Sequence, residues 1–195
     1  MKNVMLASYA NQFFELAYNF RDGESTLKDF INAIERQVLT LDNRDEEQCN
    51  KFKGDCLEIF AEIFFKAFEN DPSIGLKDYS PINIENDYGV DAIGINANNQ
   101  RVAVQVKYRG NPCDLVLYEE IAKTYTSGTL MLDLDLNERN SIYVFTTAID
   151  ITPSCKKVFG NRIVVLNIDI IGDYVRNNKS FWEFLYQEVY AYLNN

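Results

Sequence analysis

This 195-residue chain predicts an α/β fold, a central mixed sheet of about five strands flanked by helices, with an extra helical segment at the N-terminus. Three features carry that expectation. Helical periodicity dominates residues 1–69; short runs of β-branched and aromatic residues at 90–96, 101–108, 141–147 and 162–166 read as strands; and helical spacing returns between the later strands. Strands separated by helices need crossover connections, and these make part of the sheet parallel.

Taken in order, Phe13, Phe14, Leu16 and Ala17 mark a first amphipathic helix. A second starts at Ser25 or Thr26, either of which can cap it, with Leu27, Phe30, Ile31, Ile34, Val38 and Leu41 at helical spacing. Residues 42–49 are polar and acidic and read as a connection, so residues 1–49 are expected to extend a main domain over 50–195. A third helix over 50–69 presents Leu57, Phe60, Ala61, Phe64, Phe65 and Phe68 on a wide apolar face and stops at Asp71-Pro72. Strands follow over 81–86, 90–96 and 101–108, with a turn at Asn98-Asn99. A helix near 115–125, a strand over 141–147, a short helix opened by Thr152-Pro153, a strand over 162–166 and helices near 169–176 and 181–193 complete the order. Ser180 with Glu183 forms a capping-box pattern for the last helix.

Composition narrows the chemistry. The chain has no histidine, so mechanisms that need an imidazole are excluded. Its four cysteines, Cys49, Cys56, Cys113 and Cys155, are scattered and none stands at C-x-x-C spacing, which argues against zinc and for a reducing, cytoplasmic setting. No apolar run approaches the ~20 residues of a membrane span, and the first residues turn polar too soon for a secretory leader. The net charge of −10 argues against a surface coated in basic charge for nucleic acid. It leaves room for a local basic strip, for which Lys51, Lys53, Lys107, Arg109, Lys156 and Lys157 are the candidates, each also readable as an ordinary solvated charge.

The informative stretch is Asp87-Tyr88-Gly89-Val90-Asp91 followed by Gln105-Val106-Lys107. Side chains alternate along a strand, so Gln105, Lys107 and Arg109 share one face while Val102, Val104 and Val106 share the other, which is expected to be the core face. A buried charge is costly unless it is paired or bound to a metal. An acid on one strand with an amide and a lysine on the next suits Mg²⁺ beside a phosphate: Asp91, the Gln105 side-chain carbonyl and the Val106 backbone carbonyl as ligands, Lys107 steadying the attacking water and the developing charge. The competing reading is an Asp91–Lys107 ion pair that holds a hairpin together. Hairpin parity is a requirement of the metal site. A turn centred between Asn98 and Asn99 puts Asp91 opposite Val106, on the valine face; an odd loop or a bulge puts it opposite Gln105 or Lys107.

The segments Gly89-Val90-Asp91-Ala92-Ile93-Gly94 and Val102 to Arg109, read VAVQVKYR, resemble the PD-(D/E)xK nuclease superfamily, and most closely its Mrr-like restriction endonucleases and helicase-associated nuclease domains, in which the second acid is often glutamine. Lys53-Gly54 with Glu58 is similar to the K-G-x-x-x-E start of such domains, and Val144-Phe145-Thr146-Thr147 with Arg162 to Leu166 is similar to their downstream strand–helix–strand. The resemblance covers roughly residues 50–176 and implies a restriction-endonuclease-like core. It further implies Asp91 and Gln105 as metal ligands, Lys107 as the catalytic lysine, and Glu58 as a helix carboxylate joining the metal shell, with Glu62 as its rival and Asp87 and Glu85 as weaker candidates for a second metal. Val90 stands where proline is common, and glutamine in place of an acid lowers the charge of the site and favours Mn²⁺ or activation by a partner. The expected activity is Mg²⁺-dependent hydrolysis of DNA, with a homodimer or a helicase subunit as natural partners and no membrane. The alternatives are a catalytically degenerate nucleic-acid-binding or assembly protein on the same fold, an RNA-directed nuclease, and an unrelated α/β protein with a structural hairpin.

Overall fold

In the computed structural model, residues 4–23, 25–40, 45–82, 89–111 and 113–194 are described, with side chains from residue 12 onward. The elements are α1 (Val4–Phe20), α2 (Leu27–Val38), α3 (Glu46–Ala67), β1 (Leu76–Pro81), β2 (Ala92–Asn96), β3 (Arg101–Lys107), β4 (Leu115–Val116), α4 (Tyr118–Met131), β5 (Ile142–Thr146), β6 (Asp150–Ile151), α5 (Pro153–Phe159), β7 (Ile163–Leu166), α6 (Ile168–Val175) and α7 (Lys179–Leu193), with a 3-10 turn over Gly160–Arg162. The chain divides into two compact units, Met1–Ala67 with Ile170–Asn195, and Phe68–Asp169. The expected division at 49/50 falls inside α3.

In the helical unit, Thr26 rather than Ser25 caps α2. Its hydroxyl accepts the Asp29 N–H at 3.2 Å and the Asp29 carboxylate accepts the Thr26 N–H at 3.0 Å. Helix α3 begins at Glu46, earlier than the acidic composition of 42–49 suggests, because Asp45 Oδ1 accepts the Gln48 N–H at 2.8 Å and closes the first turn. Helix α7 is capped by Asn178, whose Oδ1 accepts the Phe181 N–H at 3.2 Å; the helix starts at Lys179, so Ser180 already lies within its first turn and does not cap it. Aromatic rings fill the core of this unit. Phe30 meets Phe60 with centroids 4.9 Å apart, Phe20 meets Trp182 at 5.3 Å, and Phe60 meets Phe181 at 5.4 Å. Trp182 Nε1 donates to Val175 O at 2.9 Å, which satisfies its buried polar atom.

The second unit holds a five-stranded mixed sheet in the order β1-β2-β3-β5-β7. The β1-β2-β3 pairings are antiparallel, and β3-β5-β7 are parallel, joined by crossovers through α4 and α5. The first strand runs over Leu76–Pro81 rather than 81–86, and residues 83–88 lie outside the described residues. This edge strand gives little sequence signal because it is polar, ends in Pro81, and carries an irregularity between Lys77 and Ser80 where Asp78 has φ +53°. The segment at 115–116 is a strand, not the start of a helix: Leu115 and Val116 pair with Asp150 and Ile151 in a small parallel sheet, and α4 begins only at Tyr118.

Strand β3 is buried on both faces from Val102 to Val106, so the face of Gln105 is covered as well as the valine face. Helix α4 covers the face of Ala103 and Gln105. Gly128 permits the close approach, since a Cβ there would stand 2.6 Å from Leu136 Cδ1 and 3.7 Å from Ala103 Cβ. Ala103, Ile121, Leu134, Leu136, Ile142 and Val144 form the apolar core between them.

The β2–β3 hairpin turns through Ala97, Asn98 and Asn99, an odd loop, with Gly94 opposite Val102 and Ala92 opposite Val104. Asn99 occupies the left-handed region at φ +59°, as the last residue of such a loop requires. Asn96 holds the loop from inside. Its side chain is 1% exposed, its Oδ1 accepts the N–H groups of Asn98 and Gln100 at 2.9 and 3.1 Å, and its Nδ2 donates to Asn140 O and Gln100 Oε1, both at 3.2 Å. Asn96→Ala is expected to lower the free energy of unfolding by about 2 kcal/mol, because it strips several partners at once from a buried turn. Urea titration checks this, and a loss below about 0.5 kcal/mol, within the range of ordinary surface substitutions, would mean that the loop does not rest on Asn96.

Candidate functional site

The odd loop delivers Asp91 to Gln105. Gly89, at φ +73° in a region open to glycine, turns the chain into Val90-Asp91. Asp91 donates its N–H to Val104 O at 3.0 Å and accepts the Ile82 N–H at 2.9 Å, which ties it between two strands just before β2. Its half-buried carboxylate takes the Val106 N–H on Oδ2 at 2.6 Å, and the same oxygen accepts Gln105 Nε2. Gln105, 1% exposed, also donates from Nε2 to Val106 O at 3.3 Å, and its Oε1 lies 2.7 Å from Thr124 Oγ1. Thr124, fully buried on α4, stands 2.7 Å from Gly89 O and 3.1 Å from Glu120 O. These groups form one buried polar cluster from three elements. Lys107, half-buried and two residues on along the same face, ends β3 beside the end of β5, where its carbonyl accepts Thr146 Oγ1 at 2.7 Å and the Thr147 N–H at 3.3 Å. Open α/β sheets place ligands at this carboxyl end of their parallel strands.

Arg109 does not face solvent alone. Its guanidinium is ion-paired with Glu120 of α4, and its backbone N–H donates to Thr147 Oγ1 at 2.6 Å. Burial pushes the Glu120 carboxyl up, but the Arg109 guanidinium, the Leu117 N–H at 2.9 Å and the nearby Lys107 charge outweigh it and hold the group below the usual glutamate value.

The other candidates of the basic strip are mostly engaged. Lys53 Nζ meets Glu35 at 2.6 Å, Lys51 meets Asp55 at 3.0 Å, and Lys156 is paired with Asp150, while Lys157 is exposed. Glu58 and Glu62 are half-buried on α3 in the helical unit. Glu85 and Asp87 lie outside the described residues. Two residues of the cluster escape sequence reasoning, Thr124 and Glu120. The signal for Thr124 is present: it shares the apolar face of α4 with Ile121 and Gly128, a polar residue where the helix is buried.

As a cation site the cluster offers the Asp91 carboxylate, the Val106 carbonyl and the Gln105 side chain, an all-oxygen donor set of the kind hard divalent ions take. Asp91 Oδ2 and Val106 O already converge on one point, since both accept from Gln105 Nε2. The amide presents its N–H to that point, so the expected carbonyl ligand is turned toward Thr124, and reversing the amide completes the set. The site would carry a single carboxylate; among the described residues no three His, Cys, Asp or Glu side chains cluster for a metal. Also among the described residues, no helix is long and apolar enough to cross a membrane. No protein-family model, curated protein or solved structure matches the chain.

Because the folded Glu120 carboxyl sits below its ordinary value, the stability it contributes is complete above that value and is lost as pH falls through the lowered one. The stability difference between the wild type and Glu120→Gln is therefore expected to be constant near neutrality and to shrink in acid. Urea midpoints measured from pH 7 to pH 3, spanning the ordinary glutamate value of about 4.3, check this; a difference unchanged down to pH 3 would rule out the Glu120 charge as the stabilising element.

Proposed function

We propose that this chain is a metal-dependent endonuclease that hydrolyses DNA phosphodiester bonds, built as a PD-(D/E)xK-type, restriction-endonuclease-like core of the Mrr-like variety. The observation that carries the reading is the meeting of Asp91, Gln105 and the Val106 backbone at one half-buried point, with Lys107 two residues further along the same strand face. In this reading Asp91, Gln105 Oε1 and Val106 O would hold Mg²⁺ or Mn²⁺. A divalent cation held by these residues would supply Lewis acidity toward a phosphate oxygen and a bound water. Lys107 supplies positive charge at the edge of the cluster, where it steadies the attacking oxygen and the charge that develops on phosphorus. Arg109, held by Glu120, positions the chain after β3. DNA as substrate follows from the resemblance, and severing both strands with one site per chain calls for a second copy or a partner such as a helicase subunit.

One observation favours a second reading, a binding or assembly protein on the same fold. Gln105 is uncharged, and its N–H groups already satisfy Asp91 and Val106, so the cluster is self-consistent as a structural element.

Supercoiled plasmid incubated with the protein and Mg²⁺, Mn²⁺ or EDTA separates the two. Nicking or linearisation that requires metal is expected, and Lys107→Ala is expected to slow it at least about 100-fold with the fold intact, as loss of a charge-stabilising group at a reacting centre does. Cleavage unchanged in Lys107→Ala would overturn the site. Metal-independent DNA retention with no cleavage would select the second reading.

A further inference from the structure

Thr124 Oγ1 has three oxygens around it, Gln105 Oε1 and Gly89 O at 2.7 Å and Glu120 O at 3.1 Å, yet a hydroxyl has one proton to give. Where that proton goes decides what Gln105 presents to Asp91. If Thr124 donates to Gln105 Oε1, the amide N–H groups face Asp91 Oδ2 and Val106 O and play the part of a cation. If Thr124 donates to Gly89 O, its oxygen is left as an acceptor, and the amide satisfies it only by turning through 180° so that Nε2 donates to Thr124. Oε1, Asp91 Oδ2 and Val106 O then point at one another, an arrangement of like partial charges that a divalent cation makes favourable. The two arrangements exchange the nitrogen and oxygen of one amide, and the burial of both side chains keeps water from substituting for either partner.

We propose that Thr124 is a positioning residue for the metal site: it selects between two orientations of the Gln105 amide, one that satisfies Asp91 by hydrogen bonding and one that offers the amide carbonyl to Mg²⁺. This rests on the reading of Asp91, Gln105 and Val106 as metal ligands. The loaded arrangement gives Thr124 two hydrogen bonds, one accepted from Gln105 and one donated to Gly89, where the other gives it one good donation. Removing the hydroxyl therefore weakens metal binding instead of merely loosening the helix, and restoring a hydroxyl restores it.

The test uses the full chain and Mg²⁺ alone, read by calorimetric titration and by ¹H–¹⁵N NMR of the backbone and the Gln105 side-chain amide. Mg²⁺ is expected to shift the Asp91 and Val106 backbone signals and to move the Gln105 NH₂ pair away from the position set by a carboxylate acceptor. Thr124→Val is expected to bind Mg²⁺ about tenfold more weakly, the size of one hydrogen bond, and Thr124→Ser to bind within about twofold of the wild type. Shifts at Asp91 and Val106 with an unmoved Gln105 amide, or equal affinity in Thr124→Val, would overturn the positioning role while leaving the metal site standing. No shift and no heat on adding Mg²⁺ would remove the metal reading and this proposal together. The amide measurement needs only the wild type, so it decides the matter even where Thr124→Val fails to fold.

Discussion

Because side chains alternate along a strand, the odd turn between β2 and β3 sets the register that leads Asp91 toward Gln105. With two residues in the loop, Asp91 would continue opposite Val106 and enter the other, equally buried face. Ala97, Asn98 and Asn99 make the loop odd, and Asn96 makes it stable by folding its buried amide back onto the turn. The register that carries Asp91 toward Gln105 thus rests on a turn that Asn96 holds from inside.

Once Asp91 is in place, the surrounding structure is organised to satisfy it. A carboxylate in a half-buried position demands donors, and the partner strand provides the Val106 N–H and the Gln105 amide. That use of Gln105 creates a second demand at its other end, which α4 meets with Thr124. Gly128, one turn further on, carries no side chain to press on Leu136 beneath the helix. Backbone register, a cross-strand amide and a helix contact form a chain of dependencies, so the cluster stands or falls as a unit.

The distribution of charge follows a similar logic. With a net charge of −10, most of the cations that sequence inspection offers to a phosphate are already matched to carboxylates: Lys53 to Glu35, Arg109 to Glu120, Lys156 to Asp150. The exposed Lys156–Asp150 pair is weak and yields to a phosphate at small cost, whereas Lys53, Arg109 and Glu120 are mostly buried and act as part of the scaffold. Attraction to nucleic acid would therefore depend on the cluster and on ions bound there more than on a standing basic surface.

Local chemistry already names the α/β class, the strands β2, β3, β5 and β7, a cap at Ser25 or Thr26, and Asp91, Gln105 and Lys107 as the residues to watch, because periodicity, capping and turn preference act over a few neighbouring positions. It also reduces the site to a single question of loop parity. The answer lies beyond it, since a change of one residue in a loop is nearly neutral in local propensity but reverses every side chain of the strand that follows. The same reason hides β1, a polar edge strand held by its partner, and the two-residue strands β4 and β6, which exist only as a pair. Thr124 and the Arg109–Glu120 pair are set by contacts between segments separated in sequence, 19 residues for Gln105 with Thr124 and 11 for Arg109 with Glu120. Residue identity determines which groups can do chemistry here; the packing of α4 on β3 and the parity of one hairpin decide that they meet.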